Sequence, residues 1–416
     1  MILKYKVNNY KTFKDSIELS FVADMRTKKF QSNTILINGQ NILKTTGIYG
    51  PNNTGKSCLL ESIYVLKKIM LNEKTIDFYN SFYNNTITEF EISYEINNDF
   101  YRYSCNYDSK KREYEYEKLE SITVNNLNDI SYSAIFFRTK DEIVIKIPNL
   151  SKIPLNLLNN DIPLFKILNL ENTKFEKAQK DYLEFAKSIQ IVNMESNNHI
   201  NKTLELITND EKARKFIVSF AKNCDLNLED FGYSTDIISD VDISDKLNRF
   251  IEKENTNKDL LKIWSKHHDK VVPSIFFDSI GTRKLILLAG YIYDSIVNGG
   301  VLLIDELDSS LHHVIIRAII SLFNNELNNK AQLIFSTHDA LTMDLRRLFR
   351  KDQIYLTDID ETGNNKIIHL SEDFKSRDEN GLRGNEDIVD YYLKGRFGAI
   401  PTPDLFSALD EVLNNE

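Results

Sequence analysis

Apolar and polar residues alternate along much of the first 150 residues. The segment 90–96 has apolar side chains at nearly every second position, a turn at Asn97 and Asn98 follows, and the alternation resumes at 101–105. A period of two is typical of β-strands with one buried face. We therefore predict an antiparallel β-meander over 87–146, preceded by a β-hairpin over 1–24.

The spacing of apolar residues becomes helical between about 155 and 270. Apolar side chains recur at intervals of three and four, which places them on one face of a helix. They are Phe175, Ala178, Tyr182, Phe185 and Ile189. Shorter helical patches are predicted at 211–224, 243–254 and 258–265. No apolar repeat lasts for several heptads, so a long coiled-coil arm is not expected.

From residue 271 onward, helical segments alternate with short and wholly apolar segments. Helices are predicted over 283–295 and 311–327, and buried strands over 301–304 and 332–335. The chain is thus predicted to be an α/β core interrupted by an insertion. The predicted domains are an N-terminal lobe at 1–150, a mostly helical insertion at 151–270 and a C-terminal lobe at 271–416.

The composition limits the class of protein. The 416 residues are 42% hydrophobic and carry a net charge of -9, which argues against a protein that coats nucleic acid. The three cysteines are far apart and form no Cys-x-x-Cys motif, as is typical of the reducing cytosol. The apolar stretch 285–304 contains Asp294 and a Gly-Gly break, so we expect a helix, a turn and a strand instead of a membrane span. A cytoplasmic protein without a membrane segment is expected.

Residues 50–57 match the phosphate-binding pattern G-x-x-x-x-G-K-[ST], the P-loop. A short apolar segment precedes the loop and a helical segment follows it, which is the context the motif requires. Lys56 is predicted to neutralise phosphate charge, and the Ser57 hydroxyl is predicted to bind Mg²⁺. The predicted nucleotide-binding residues here are Asn52, Asn53, Thr54, Gly55, Lys56, Ser57 and Cys58.

Two acidic residues, Asp305 and Glu306, follow the apolar segment 301–304 directly. This is the Walker B pattern, in which a buried strand delivers carboxylates to the edge of a parallel sheet where ligands bind. Asp305 is predicted to bind Mg²⁺ directly or through water. Glu306 is predicted to act as the general base that polarises the attacking water.

Three further segments resemble motifs of ABC-type ATPases. Segment 307–312, with Asp308, resembles the D-loop, and the segment ending at His338 resembles the switch-histidine strand. Segment 279–283, with Ser279 and Gly281, resembles the ABC signature, although Thr282 stands where a second glycine is usual. The motifs also occur in the order found in ABC-type ATPases. The resemblance implies an ABC-type P-loop ATPase head that binds ATP and Mg²⁺ and forms a homodimer or higher oligomer through composite ATP sites. In such sites His338 contacts the γ-phosphate, and Ser279 and Gly281 contact the nucleotide of the other subunit.

The ends of the chain resemble a narrower group. Segment 10–15 resembles the start of soluble SMC/RecF/OLD-like ATPase heads, where Tyr10 and Phe13 are candidates for adenine stacking. Segments 374–377 and 392–401 resemble the ending of RloA/AbiLi-type abortive-infection ATPases of the AAA_15 group. This resemblance implies antiphage defence beside a separate effector protein, a toxin or a nuclease.

Two alternative functions are compatible with the residues. A basic cluster at 346–351, predicted to lie in a helix, is explained most simply as a solvated face with acidic neighbours, but it would also suit contact with a partner or with nucleic acid, as in a DNA-repair or chromosome-organising ATPase of the RecF kind. Asp358 and Asp360 would suit a self-contained OLD-like nuclease. A hairpin with its turn at 361–365 is the simpler explanation of those two aspartates.

Overall fold

The computed structural model describes most of the chain, and the helical patch predicted at 243–254 lies outside the described residues. The described residues are 1–73, 86–126, 129–139, 143–145, 160–168, 170–171, 173, 175–194, 200–224, 228–234, 262–268, 270–375, 386–401, 403–407 and 410.

Eighteen strands are present in the described part of the chain. In chain order, β1 to β9 are Ile2–Asn8, Ile17–Ser20, Thr34–Ile37, Gln40–Leu43, Thr45–Tyr49, Ile87–Ile96, Asp99–Asp108, Glu113–Asn126 and Asp129–Thr139. Strands β10 to β18 are Ile143–Ile145, Ile189–Asn193, Asp230–Tyr233, Ile263–His267, Lys270–Pro273, Gly300–Asp305, Ala331–Thr337, Ile354–Ile359 and Asn365–His369.

The α-helices of the described residues are numbered in the same way. Helices α1 to α5 are Lys56–Leu71, Leu164–Ile167, Glu176–Ser188, Ile200–Asn209 and Glu211–Asn223. Helices α6 to α10 are Ser274–Phe277, Ile280–Asn298, His313–Phe323, Leu370–Asp373 and Ile388–Leu393.

Two large sheets organise the molecule. The first has seven antiparallel strands in the order β10-β9-β8-β7-β6-β1-β2, which confirms the predicted hairpin and meander. The second has the order β11-β15-β16-β5-β17-β18, and only β18 is antiparallel to its neighbour. The fold is therefore α/β with an antiparallel β-subdomain, as predicted.

Strand β15 explains why both faces of the parallel sheet are covered. Val301 and Leu303 pack into the apolar core that the seven-stranded sheet shares with α1 and α3. Leu302 and Ile304 point to the opposite face and pack with α7 and α8. Successive side chains of a strand alternate between the two faces, so a wholly apolar strand needs a layer on each side.

The range 151–270 contains helices, as expected, and also strands that the helical pattern did not indicate. Strand β11 is the edge of the parallel sheet and pairs along its length with β15. The helix predicted at 258–265 is wrong where the chain is described, because Ile263–His267 is the central strand between β12 and β14. Ile263 and Ser265, two positions apart, are both buried, and this period of two is that of a strand with one buried face. The domain boundaries at 150 and 270 stay predictions.

Candidate functional site

The P-loop connects β5 to α1 and depends on close backbone packing. Gly50 has a φ of 146°, and a Cβ atom there would lie 2.4 Å from the Thr357 carbonyl oxygen. Gly55 has a φ of 96° and precedes α1, and a Cβ atom there would lie 2.6 Å from the ring of Phe13. The Thr54 hydroxyl lies 2.6 Å from that of Thr357 and 2.8 Å from the Pro51 carbonyl oxygen. Only glycine can adopt these positive φ values with neighbouring atoms so close to the Cβ position, so the backbone geometry requires glycine at both positions.

Lys56 projects into the P-loop. Its ammonium donates hydrogen bonds to the carbonyl oxygens of Gly50, at 2.9 Å, and Pro51, at 2.7 Å. Burial lowers the pKa of Lys56 to about 8, although Asp308, Asp305 and Glu306 each act to raise it. These three carboxylates are therefore close enough to Lys56 to affect its charge.

The carboxylate of Asp305 is held at the end of β15 by its two neighbouring strands. Its Oδ1 accepts a 2.6 Å hydrogen bond from the Ser336 hydroxyl in β16, and its Oδ2 accepts a 3.3 Å bond from the Asn193 amide in β11. The Ser336 hydroxyl also accepts a 2.8 Å bond from the backbone N–H of Glu306. Glu306 has a φ of 55°, a strained value for a residue with a side chain, and such residues cluster at functional sites.

Asp308 and His338 face each other across the same edge of the sheet. The backbone N–H of His338 donates a 3.1 Å hydrogen bond to Asp308 Oδ2, and His338 Nδ1 lies 3.4 Å from Lys56 Nζ. Burial, and then the Lys56 ammonium, lower the pKa of His338, so the ring is neutral at neutral pH. Asp308 Oδ1 is buried and has no hydrogen-bond partner within the described residues. The P-loop, Walker B, D-loop and histidine segments thus meet in one place.

The signature segment lies at the start of α7 and contacts the D-loop. Ser279 caps the helix, since its hydroxyl accepts a 3.0 Å hydrogen bond from the backbone N–H of Thr282. A Cβ atom at Gly281 would lie 2.5 Å from the Ser310 carbonyl oxygen, and Lys284 donates a 2.9 Å hydrogen bond to the Ser309 hydroxyl. Ser279 itself is exposed. The start of α7 is therefore fixed against the D-loop and open to solvent.

Comparison with known proteins shows the family to which this chain belongs. Residues 45–344, more than half of the chain, match the family model described as "AAA domain, putative AbiEii toxin, Type IV TA system". The chain belongs to this AAA-domain family. It is a P-loop ATPase by family, and every segment of the site described above lies inside the matched range. No curated protein sequence matches the chain.

Two solved structures show a partial likeness to this AAA-domain protein. One is the SMC head domain from Thermotoga maritima, with a TM-score of 0.40 and 12% identity over 88% of this chain and 98% of that one. The other is an SMC head bound to the C-winged helix domain of ScpA, with a TM-score of 0.45 and 12% identity over 88% of this chain and 96% of that one. The finer resemblance to RloA/AbiLi-type proteins stays a prediction.

The remaining predicted residues of the P-loop differ in exposure. Asn52, Asn53 and Ser57 are exposed, and Ser57 lies in the first turn of α1. Cys58 is half-buried, and burial raises the pKa of its thiol, so it is not a reactive thiolate. The Ser57 hydroxyl and the Asp305 carboxylate are hard oxygen donors, which suit Mg²⁺.

Tyr10 and Phe13 do not present rings to a ligand. Both are fully buried, and the Phe13 ring lies beneath Gly55 in the core of the AAA-domain protein. Phe13 therefore supports the P-loop from below, while the Tyr10 ring packs against that of Phe90. The suggestion that they stack on adenine is therefore wrong.

Sequence patterns did not identify Asn193 or Ser336 as part of the site. Ser336 lies in the segment already assigned to the histidine strand, so its position beside Asp305 follows once that strand is paired with β15. Asn193 ends β11, which pairs with β15 across a large separation in sequence. No local sequence pattern predicts the pairing of two strands so far apart in the chain.

The basic cluster at 346–351 is not a helix. Residues 345–348 form turns, and a short 3-10 helix begins at Lys351. Arg350 is buried and donates hydrogen bonds to Asp352, at 2.7 Å, and to backbone carbonyls of 24–29. Arg346 lies 3.6 Å from Asp387. Arg350 is therefore not accessible to a nucleic acid, whereas Arg346 and Arg347 are exposed.

The two aspartates of the nuclease alternative lie on a hairpin. Strands β17 and β18 pair in antiparallel register around the turn, as the simpler explanation predicted. Asp358 lies 3.3 Å from Lys366, and Asp360 accepts hydrogen bonds within the turn. Within the described residues, no group of three or more His, Cys, Asp or Glu side chains could hold a metal ion.

No helix in the described part of the chain is long and apolar enough to cross a bilayer.

Proposed function

We propose that the protein binds and hydrolyses ATP with Mg²⁺ and acts as an ATP-gated dimeric switch. The observation that carries the proposal is the contact of Lys56 with His338 and of His338 with Asp308. These contacts join the P-loop, the D-loop and the histidine segment beside Asp305 and Glu306. A triphosphate in the P-loop would be within reach of all of them.

Each side chain has a role that follows from its position. Lys56, which donates to two carbonyl oxygens of the P-loop, would donate to phosphate oxygens instead. Ser57, Asp305 and Asn193 would hold Mg²⁺ directly or through water, and the ion would offset phosphate charge. Glu306 would accept a proton from the attacking water, and His338 would contact the γ-phosphate.

Lys56 makes nucleotide binding depend on pH. Phosphate favours the ammonium form, so nucleotide raises the lysine pKa above its value of about 8 in the free protein. Above pH 8 the free protein must take up a proton to bind, and the affinity for ATP should fall by up to about tenfold per pH unit. Titration of a fluorescent ATP analogue between pH 7 and 9.5 measures this. Lys56→Arg, which keeps its charge throughout, should remove the dependence, and an unchanged profile would contradict the role given to Lys56.

The signature supports a second copy as the partner. Ser279 is exposed at the N-terminus of α7, where the backbone N–H groups and the helix dipole favour an anion. The same segment contacts its own D-loop at Ser309 and Ser310. We therefore propose a two-fold dimer in which each signature faces the ATP held by the other P-loop.

Ser279→Asp tests the composite site. Aspartate caps a helix about as well as serine, so α7 should form normally, but its charge would repel the γ-phosphate. The variant should bind ATP as a monomer with the affinity of the parent, and its ATP-dependent association should weaken by at least about tenfold. Sedimentation with a slowly hydrolysed ATP analogue measures association. Ser279→Asn, a neutral cap, is the control, and equal association of both variants would argue against the composite site.

The biological setting is a proposal that rests on the family description. That description names a toxin and a type IV toxin–antitoxin system. We propose a sensor in antiphage defence of the abortive-infection type, where the ATP state holds or releases a separate toxin or nuclease. Purification together with the product of a neighbouring gene, with and without ATP, should show a nucleotide-dependent complex. Equal co-elution with and without ATP would contradict the proposal that the ATP state controls the effector.

A further inference from the structure

A buried carboxylate precedes the signature segment directly. The side chain of Asp278 is only 2% exposed, and the next residue is Ser279. The backbone N–H of Asp278 donates a 2.8 Å hydrogen bond to the Ser274 carbonyl oxygen, so Asp278 is fixed between α6 and α7. A buried charge is costly unless it is hydrogen-bonded. The partners of this carboxylate therefore influence where the signature lies.

His267 supplies the hydrogen bond to this carboxylate. Its Nε2 lies 2.8 Å from Asp278 Oδ1, while Asp278 Oδ2 is buried and has no hydrogen-bond partner within the described residues. A carboxylate only accepts, so Nε2 carries the hydrogen. The Ser265 hydroxyl lies 3.1 Å from the same nitrogen. A catalytic triad uses both ring nitrogens, and Ser265 is fully buried, so the cluster is not arranged for nucleophilic catalysis.

His267 lies on a different secondary-structure element from the signature, although both elements contribute to one apolar cluster. It ends β13, the central strand of the small sheet β12-β13-β14. Helix α6 packs on β13 and β14, and β12 packs on α4 and α5. Phe231 and Ile263 of the small sheet share an apolar cluster with Leu204 and Ile217 of those helices. A displacement of this sheet would reach Asp278 through His267, as well as through β14, which leads directly into α6.

We infer that His267 is a positioning residue for the signature segment. By holding Asp278, it sets Ser279 and the first turn of α7 for contact with the nucleotide of a second copy. A molecule that displaces the small sheet would weaken this contact without touching the P-loop. This inference rests on the proposed dimeric switch and names a route by which the switch is controlled.

Four variants test the inference. His267→Ala removes the hydrogen bond, and His267→Gln keeps an N–H donor of similar reach. Asp278→Asn removes the buried charge, and the double variant His267→Ala/Asp278→Asn asks whether that charge is what requires His267. The matched control is His268→Asn, because His268 is exposed in the adjacent turn and its φ of 47° suits asparagine.

ATP-dependent association is the first measurement. With a slowly hydrolysed ATP analogue, His267→Ala should associate about 10- to 100-fold more weakly than the parent, the range expected for loss of a hydrogen bond to a charged group. His267→Gln and the double variant should recover most of this loss, and His268→Asn should match the parent. Nucleotide binding by the monomer should be unchanged in all variants. A His267→Ala protein that associates normally, or that the double variant does not rescue, overturns the inference.

Hydrogen exchange without nucleotide separates this inference from the dimer proposal. The amides of Thr282 and Arg283 donate hydrogen bonds to Ser279. They should exchange faster in His267→Ala, and the double variant should restore the exchange rates of the parent. If the parent protein does not associate with ATP, the dimer proposal fails, and the exchange rates still decide the role of His267. Unchanged exchange in His267→Ala overturns the positioning role even if the dimer forms.

Discussion

Glu306→Gln is expected to slow ATP hydrolysis by about 10²- to 10⁴-fold, the usual contribution of a general base. Glutamine has nearly the same shape as glutamate but cannot accept the proton of the attacking water. The backbone N–H of residue 306 would still donate to the Ser336 hydroxyl, so the strained φ of 55° and the position of Asp305 should persist. The variant should therefore bind ATP and accumulate as an ATP-bound dimer.

Two measurements check this expectation. Phosphate release gives the rate, and size-exclusion chromatography with and without ATP gives the assembly state. Glu361→Gln is the control, because Glu361 is exposed in the turn between β17 and β18. A Glu306→Gln protein that remains monomeric in ATP, as in its absence, would refute the switch. One that hydrolyses ATP at the parent rate would refute the general base.

Arg138→Met is expected to destabilise the fold by about 3–5 kcal/mol, because it leaves a buried carboxylate unpaired. Arg138 and Glu117 are 1% and 0% exposed, and Arg138 Nε lies 2.9 Å from Glu117 Oε2. The Arg138 guanidinium also donates a 2.7 Å hydrogen bond to the Ile162 carbonyl oxygen, and Glu117 accepts a 3.0 Å bond from the Leu164 backbone N–H. The pair therefore ties β8 and β9 to the segment that leads into α2.

The loss of folding stability in Arg138→Met should increase with pH. Burial already raises the pKa of Glu117, and Arg138 opposes that rise. Without the arginine the folded-state pKa rises further, so the penalty relative to the parent is small while Glu117 is protonated in both proteins, and it grows as the pH rises above the raised pKa that Glu117 has in the folded parent. The midpoint of urea unfolding should therefore fall more at pH 8 than at pH 5.

An ion pair whose arginine is partly exposed, and whose carboxylate has a second cation, provides the control for Arg138→Met. Arg102 is 24% exposed and pairs with Glu120, which also has Lys118 at 2.6 Å. Arg102→Met should cost less than Arg138→Met, because Lys118 still pairs with the Glu120 carboxylate at 2.6 Å. Equal losses for the two variants would show that burial does not set the cost.

The sequence indicates those parts of the fold that local patterns encode. Alternation over 87–146 predicted the antiparallel strands, and the apolar segments before Asp305 and His338 predicted β15 and β16. The P-loop pattern could be recognised because glycine is required at Gly50 and Gly55 by backbone geometry. These signals are short-range, so one sequence is enough to reveal them.

The parts that could not be predicted depend on partners distant in the chain. The pairing of β11 with β15 brings Asn193 to Asp305, and nothing near Asn193 in the sequence indicates it. Arg350 belongs to a basic cluster by sequence, but its burial with Asp352 is decided by the segment 24–29 packing over it. Charge and periodicity describe a residue's own neighbourhood and not what folds onto it.

The place of β5 in its sheet sets the order in which the chain can fold during synthesis. Strand β5 carries the P-loop, but its neighbours are β16 and β17, which are translated nearly 300 residues later. The strands of the antiparallel sheet, in contrast, all lie within the first 145 residues. Chains fold from the N-terminus as they emerge from the ribosome. A nascent chain can thus complete the antiparallel sheet early, whereas its phosphate-binding loop gains a framework only when synthesis is almost finished.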